Sequence, residues 1–349
     1  MIHWQTYYQQ NKHLPLNTIM EGYKKLTLEF TERMVIITQQ SQNVGSGYYS
    51  SSTSAGPSGI QRAIFGYGIN FGAQNVSVSN LVSNTGVVAT DTTGVGTSRK
   101  GLAAAGYGTD KAIFGFGYTT GVVAMTNLVS NTGVVANDTA AVSVVPRQYI
   151  SAAAYGTDKA IFAYGATAGG ETSSTAYTNL VSNTGVIASD TYNGGEERMR
   201  SAGVGYGGDK AIFAFGANYS NPVLNSTYLV SNTGIPSSGQ SNIGTARYGV
   251  AAAAYGTDKA IFGFGYNNSI ETRITNLVSN TGVVAGDQLI ADNPRYWLAA
   301  AGYGGDKAIF SFGVYSSTNL VSNTGVISTS ITQVGTSRYM LAAAGYSLS

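Results

Sequence analysis

Cysteine is absent from this 349-residue chain, so neither a disulfide frame nor a thiolate metal site contributes to its stability or chemistry, and the redox compartment is left open. Histidine occurs only as His3 and His13, which removes a Ser/His/Asp triad and His-ligated zinc from everything downstream. Charge is scarce: 10% of residues, 19 Lys and Arg against 17 Asp and Glu, a formal +2. With no long run of either sign there is no electrostatic footprint for nucleic acid or anionic lipid. No segment approaches the roughly 18 continuous apolar residues of a membrane helix. The opening MIHWQTYYQQ lacks the basic and apolar regions of a signal peptide. The expectation is a soluble chain with no leader and no membrane insertion. Proline is rare too, at 6 residues, yet 43% of the chain is hydrophobic with 46 Gly and 24 Tyr. That composition suits a turn-dense all-β protein better than disorder.

Repetition dominates what is present. LVSNTGV begins at Leu81 and returns at Leu128, Leu180, Leu277 and Leu320, with LVSNTGI at Leu229. DKAIF carries Lys111, Lys159, Lys210, Lys259 and Lys307, preceded by QRAIF at Arg62, so successive basic residues are 49, 48, 51, 49 and 48 positions apart. A third phrase, Arg followed by a small-residue run ending in Tyr, starts at Arg99, Arg147, Arg200, Arg247, Arg295 and Arg338. A fixed period of this size means a repeat architecture, and six copies of a motif are structure before they are active sites.

One unit reads as four short strands. GLAAAGYG from Gly101 is a small-residue strand fit for the crowded centre of a radial assembly. After the TDK turn, AIFGFGY from Ala112 is a strand needing cover on both faces, because Ile113 and Phe114 point oppositely. TNLVS is the third, NTG a tight turn with Gly133 at a positive φ, and VVA an outer fourth. The first unit lacks an Ala-rich strand and the chain ends on a spare one, LAAAGYS. The expectation is therefore an all-β, six-bladed β-propeller over 61–349, closed by pairing Leu341 to Tyr346 beside Ala63 to Tyr67. A solenoid would leave edges exposed and need distinct caps.

Arg, a small-residue strand, a turn, an aliphatic and aromatic strand ending in paired glycines, then an outer hairpin: this order is similar to the kelch unit. It resembles also the propeller domain of galactose-oxidase-type proteins. The likeness covers Arg62 to Ser349, with the kelch double glycine split as Gly115 and Gly117 or Gly263 and Gly265, and no outer-strand Trp. The low-charge, nearly uniform repeats also look like structural proteins of tailed phages. That resemblance implies a virion component of tail, neck or fibre, within a larger assembly, bound to neighbouring virion proteins and to a host surface glycan or receptor.

Antiparallel topology puts the unvarying TDK and NTG turns on one face and the variable loops and crossings on the other. Binding residues concentrate in loops held by a rigid scaffold. The candidate contacts are Arg147, Tyr149, Arg247, Tyr248, Arg295, Tyr296, Trp297, Arg338 and Tyr339, residue types enriched at recognition surfaces and able to stack on sugars. The arginines also suit a second role, tying adjacent blades through backbone carbonyls. Asp110, Asp158, Asp209, Asp258 and Asp306 form a possible cation ring, but each is followed by its own Lys. Paired carboxylates for glycoside hydrolysis would have to be built from Asp together with Glu171, Glu196, Glu197 or Glu271, glutamates that are few and all in variable loops. The expectation is no catalytic residue, no metal and no cofactor.

Residues 1–45 stand outside the repeat as an attachment arm. Within EGYKKLTLEFTERMVIITQQ, Tyr23, Leu26, Phe30, Met34 and Ile37 make a helical stripe, while Leu26, Leu28 and Phe30 alternate as in a strand. Either form presents an apolar stripe that could anchor the propeller in an assembly or pack beneath it. The Gly/Ser-rich stretch 46–60 reads as a flexible linker.

Overall fold

A computed structural model describes residues 60–349 except 142–143, 170–172, 194, 316 and 349, together with Lys12, His13, Leu16, Thr18 and Met20. Met1–Ser51 and Ser52–Ser349 form separate compact units. In the first, Leu16, Thr18 and Met20 are helical. The stripe of Tyr23, Leu26, Phe30, Met34 and Ile37 and nearly all of the 46–60 linker lie outside the described residues. Among the described residues no helix is long and apolar enough to cross a membrane.

The second unit is a six-bladed β-propeller. Blade 2 shows the pattern: Ala103–Tyr107 innermost, then Lys111–Gly115, Met125–Val129 and Thr139–Ala140, each antiparallel to the last. Blades 3, 4 and 5 repeat it with inner strands Ser151–Tyr155, Ala202–Tyr206 and Ala251–Tyr255. Blade 6 has Ala299–Tyr303, Lys307–Phe312 and Ser317–Val321. Blade 1 is composite: Ala342–Leu348 lies inside Ile60–Gly66, followed by Ser79–Val82. The closing register runs from Ile60 opposite Leu348 to Gly66 opposite Ala342, joining the two segments expected and extending past them to Ile60 and Leu348.

The second strand of each blade explains the core. Ala112, Ile113 and Phe114 are all fully buried, although neighbours in a strand face opposite ways. Phe114 packs with Ile64, Tyr67 and Tyr346 of blade 1, whereas Ile113 packs with Ile150 and Phe162 of blade 3. Six such apolar layers lie between successive blades and run round the ring, the last joining Ile309 and Phe312 to Phe65. A blade buried on both faces has no stability of its own.

Inter-blade packing also accounts for LVSNTG. Ser130 Oγ accepts the Val134 N–H at 3.1 Å and holds the turn, in which Gly133 has φ +82°. A Cβ there would lie 2.7 Å from the Tyr346 hydroxyl and 2.9 Å from Leu81, both in the preceding blade. The turn is thus fixed within its blade and fitted against the one before it.

The outer strand differs from expectation. Outside blade 4, where Pro236–Ser238 pairs regularly with Tyr228–Val230, the residues after NTG make only single bridges, such as Val129 to Val135 and Val181 to Ile187, and regular pairing, where present, resumes farther on, Thr126 opposite Thr139. The register slips by one residue between these points. There the Asn127 side chain substitutes for backbone, donating to the Ala136 carbonyl at 2.9 Å, as at a β-bulge. In blades 1 and 6 the outer strand consists only of such bridges.

Candidate functional site at the axial mouth

Six arginines, one from each repeat, are interior residues. Arg99, Arg147, Arg198, Arg247, Arg295 and Arg338 each have 0% exposure. Arg247 shows the pattern shared with Arg99 and Arg338: Nε donates to the Phe264 carbonyl at 2.8 Å, Nη1 to the Thr245 carbonyl at 2.9 Å and Nη2 to Asn276 Oδ1 at 2.5 Å, whereas Arg147, Arg198 and Arg295 bond through Nη1 and Nη2. Its guanidinium lies 3.9 Å over the Phe215 ring of the preceding blade. Arg338 closes the circle, stacked 4.1 Å over Phe312 of blade 6 and bonded to the Tyr67 carbonyl and Asn80 of blade 1. A planar group with five donors fits a cleft offering carbonyls on one side and an aromatic face on the other. Arg147, Arg247, Arg295 and Arg338, expected also as ligand contacts, are therefore committed inside the ring. Burial lowers all four to a pKa of about 10, far above any physiological pH.

In blade 4 the structure corrects the alignment of the Arg phrase. Arg198 is the buried staple there, donating to the Phe215 carbonyl, and Arg200 is not. The spacing carries the signal: 17 residues separate Arg99 from Phe116, Arg147 from Tyr164, Arg198 from Phe215 and Arg247 from Phe264.

Every staple but Arg198, which turns to Glu196, extends outward through an aspartate. Asp287 accepts Asn276 Nδ2 at 2.9 Å and the Thr245 N–H and hydroxyl at 2.9 and 2.6 Å; Asp91 and Asp138 do the same with Thr336 and Thr97. Burial alone would raise these carboxyls. Hydrogen bonds from Thr and Asn, with the Arg charge, outweigh it and hold all three below the usual carboxylate range. A depressed folded-state pKa gives stability that is present above the unfolded value, about 3.9, and is lost as pH falls through the folded one. Thermal scans from pH 7 to 2.5 should show the melting temperature falling steeply below about pH 4, and less steeply in a D91N/D138N/D287N protein, which starts from a lower value at pH 7.

Two residues past each buried Arg, the chain turns into the axis. Gly101, Tyr149, Arg200, Gly249, Trp297 and Met340 all have φ between +51° and +64°. Their backbones form a closed belt, each N–H donating to the carbonyl one blade back: Gly101 to Met340, Tyr149 to Gly101, Arg200 to Tyr149, Gly249 to Arg200, Trp297 to Gly249 and Met340 to Trp297, at 2.7–3.1 Å. Four non-glycine side chains are held in a left-handed conformation, a strain that persists where surrounding structure enforces it.

Over this belt the rings of the variable face assemble. Trp297 lies 5.4 Å from Tyr149, 5.8 Å from Tyr248 and 6.0 Å from Tyr296. Tyr266 joins Tyr248 and Tyr296 at 5.5 and 5.3 Å. Tyr339 continues the surface against Phe71 at 5.6 Å. All five expected aromatic residues thus reach the mouth, half-buried. Arg200, which the repeated phrase equates with the staples, lies among them instead, its guanidinium 4.7 Å over Tyr149, 5.0 Å over Tyr248 and 5.3 Å over Trp297. The throat beneath is aliphatic, with Leu102, Ile150, Val250, Leu298 and Leu341 broken by Ser201. The cup between belt and rings encloses about 410 Å³, counting space open to solvent.

The opposite face is made of structural contacts. A second closed belt links Gly108 to Asp158, Gly156 to Asp209, Gly207 to Asp258, Gly256 to Asp306, Gly304 to Gln61 and Ser347 to Asp110, all backbone N–H to carbonyl at 2.7–3.0 Å. The Asp side chains of the possible cation ring face lysines, as in Asp110 with Lys111 at 2.6 Å, and turn amides, as in Asp258 with Asn280 at 3.0 Å. The axial cavity on that side has walls of Ala and Gly with Thr257 and Lys307 at its rim, and offers few groups to fix a ligand's orientation. Of the glutamates, Glu196 is tied to Arg198 and Ser226 at 2.8 Å and Glu197 to Ser174 at 3.3 Å. Glu171 lies outside the described residues. No known family model matches this sequence, and no curated protein matches it.

Proposed function

We propose that the chain is a non-enzymatic attachment protein that binds its ligand at the aromatic mouth and is carried on a larger particle by residues 1–45. The observation that carries this reading is the convergence of Tyr149, Tyr248, Tyr296 and Trp297 on one mouth. No two repeats carry the same residue pair after the buried Arg, while the opposite face scarcely varies. Half-exposed rings over a rigid belt give large contact area at little entropic cost, as sugar and protein recognition both require. The kelch-like order of phrases supports a binding rather than catalytic propeller. The low-charge repeats support a place in a tailed-phage virion, at tail, neck or fibre, with neighbouring virion proteins on the arm and a host surface glycan or receptor on the mouth.

Mass spectrometry of purified particles made by the genome that encodes the chain should find it in stoichiometric amount. Its absence there, with the protein recovered from cell extract, would favour a cellular kelch-type adaptor or lectin. Labelled protein should coat host cells, and a Y248A/Y296A variant should lose at least about tenfold in retention, since each aromatic anchor contributes on the order of 1–2 kcal/mol.

A further inference from the structure

LVSNTGV keeps one side chain that its own turn does not use. Leu128 packs against the turn of the next blade, where a Cβ on Gly185 would meet its Cδ2 at 2.9 Å, and Val129 is fully buried. Ser130 Oγ accepts the Val134 N–H and shares a hydrogen bond with Thr132 Oγ1 at 2.8 Å. The asparagine braces the first turn of its blade, as Asn280 does on Asp258 at 3.0 Å, and Gly133 supplies φ +82°. The seventh side chain is left to solvent: Val87, Val134, Val186, Ile235, Val283 and Val326 are 54–66% exposed. Strand propensity alone would accept threonine there. The exposed positions two and three residues farther on do vary, reading Ala, Ala, Ala, Ser, Ala, Ser and Thr, Asn, Ser, Ser, Gly, Thr round the ring. At the seventh position all six blades keep an aliphatic residue.

A recess runs beside it. In blade 2 the recess is walled by Leu128, Val134 and Ala136 and closed by Asn183 and Thr184 of the next blade's NTG turn, with Lys111 at its end. Blades 3 and 5 repeat it with Val186 and Val283, each recess enclosing about 920 Å³, counting space open to solvent. Aliphatic knobs and apolar recesses thus recur at blade spacing around the unvarying face. Charge cancels locally there, since the aspartate before each lysine holds it at 2.6–3.6 Å.

A partner that touches all six aliphatic residues must itself present six matching sites around an axis. The same face of a second copy does so. Two such rings facing each other across a twofold axis have one free angle of rotation, and an angle that seats one knob in an opposing recess seats the other five. With its charges already paired, the face does not repel its like. We infer that two copies of the chain associate through their unvarying faces, the aliphatic ring of each filling the recesses of the other. The two mouths then point to opposite ends of the pair, and the association does not depend on what they bind.

Sedimentation equilibrium of the full chain at about 50 μM should give twice the chain mass. The variant V134T/V186T/V283T keeps branched side chains of nearly the same shape, and should weaken the dimer at least about tenfold because three aliphatic groups are lost from each copy. Its melting temperature should stay within about 2 °C of the wild type. A purely strand-forming role for these valines would leave association unchanged. An amine cross-linker applied to mixed light and heavy chains should join light to heavy through Lys111, Lys159, Lys210, Lys259 or Lys307, and not through Lys100, which stands beside Gly101 of the mouth belt. A monomer at that concentration, an unweakened dimer in the threonine variant, or light-to-heavy links through Lys100 overturns the inference.

Discussion

Removing Ala342–Leu348 is expected to leave no native ring. The segment supplies the inner strand of blade 1, seven residues in register with Ile60–Gly66. At a net 0.5–1.5 kcal/mol for each hydrogen bond, the ladder alone is worth roughly 5 kcal/mol. Tyr346, Ala342 and Ala344 also fill the apolar layer shared with Phe114 and Ile64 of blades 1 and 2. Burying a large side chain adds about 1.5–3 kcal/mol. The sum reaches the 5–15 kcal/mol typical of whole-domain stability. The deletion also removes Ser347, whose N–H completes the belt on the unvarying face by bonding to the Asp110 carbonyl at 3.0 Å. The deleted protein should be insoluble or should lose its cooperative melting transition. Cyclic closure makes a second, opposite prediction. Leu348 lies beside Ile60, where other blades place a short turn, so a circular permutant joining these ends and opened in the variable loop at Gly121 should fold and melt near the wild type. If the deletion melts cooperatively within about 5 °C of the wild type, or if the permutant fails to fold, the ring is not what holds the chain together.

Much of this architecture is legible in the sequence because repetition averages out local ambiguity. Ile113 and Phe114 in one strand are uninformative alone; the same pair in six units can be buried only if every unit is covered on both sides. The mismatch of the two chain ends points to closure for the same reason. What the sequence conceals is non-local. The outer VVA strand reads as regular, yet its register is broken by the side chain of Asn127, which binds the Ala136 carbonyl and, through Oδ1, the staple Arg99. Arg is legible as a repeated letter, but its burial depends on carbonyls 17 residues away and on a ring in the preceding blade. In blade 4 the two arginines of EERMR compete for that letter, and the string SAGVGYG after Arg200 favours the wrong one. The aromatic residues of the mouth stand out because they vary between repeats, whereas Arg200 is hidden by its match to the repeated letter.

Replacing Arg247 with alanine is expected to cost as much as any single substitution at the mouth or the blade junctions. Three acceptors lose their donor together: the Phe264 and Thr245 carbonyls and Asn276 Oδ1. The face of Phe215 loses its stacked cation, and Asp287 loses the positive charge that helps to keep its carboxyl ionised. Breaking a buried, hydrogen-bonded charge network costs about 3–5 kcal/mol, which for a domain of this size lowers the melting temperature by roughly 6–15 °C. Lysine should not rescue it, because a point charge on a flexible stem cannot reproduce the fork. Methionine should do better than alanine by filling the space, while still leaving the acceptors bare. Changing Asn276 should cost less, and blade 4 shows why. There Tyr228 stands in place of the asparagine, and Arg198 keeps its site by turning to Ser226 and Glu196. The arginine persists where its usual amide partner does not, so the ring relies on the cation between blades before it relies on the amide. An R247A protein melting within about 2 °C of the wild type, or an N276S protein falling further than R247A, would reverse that order.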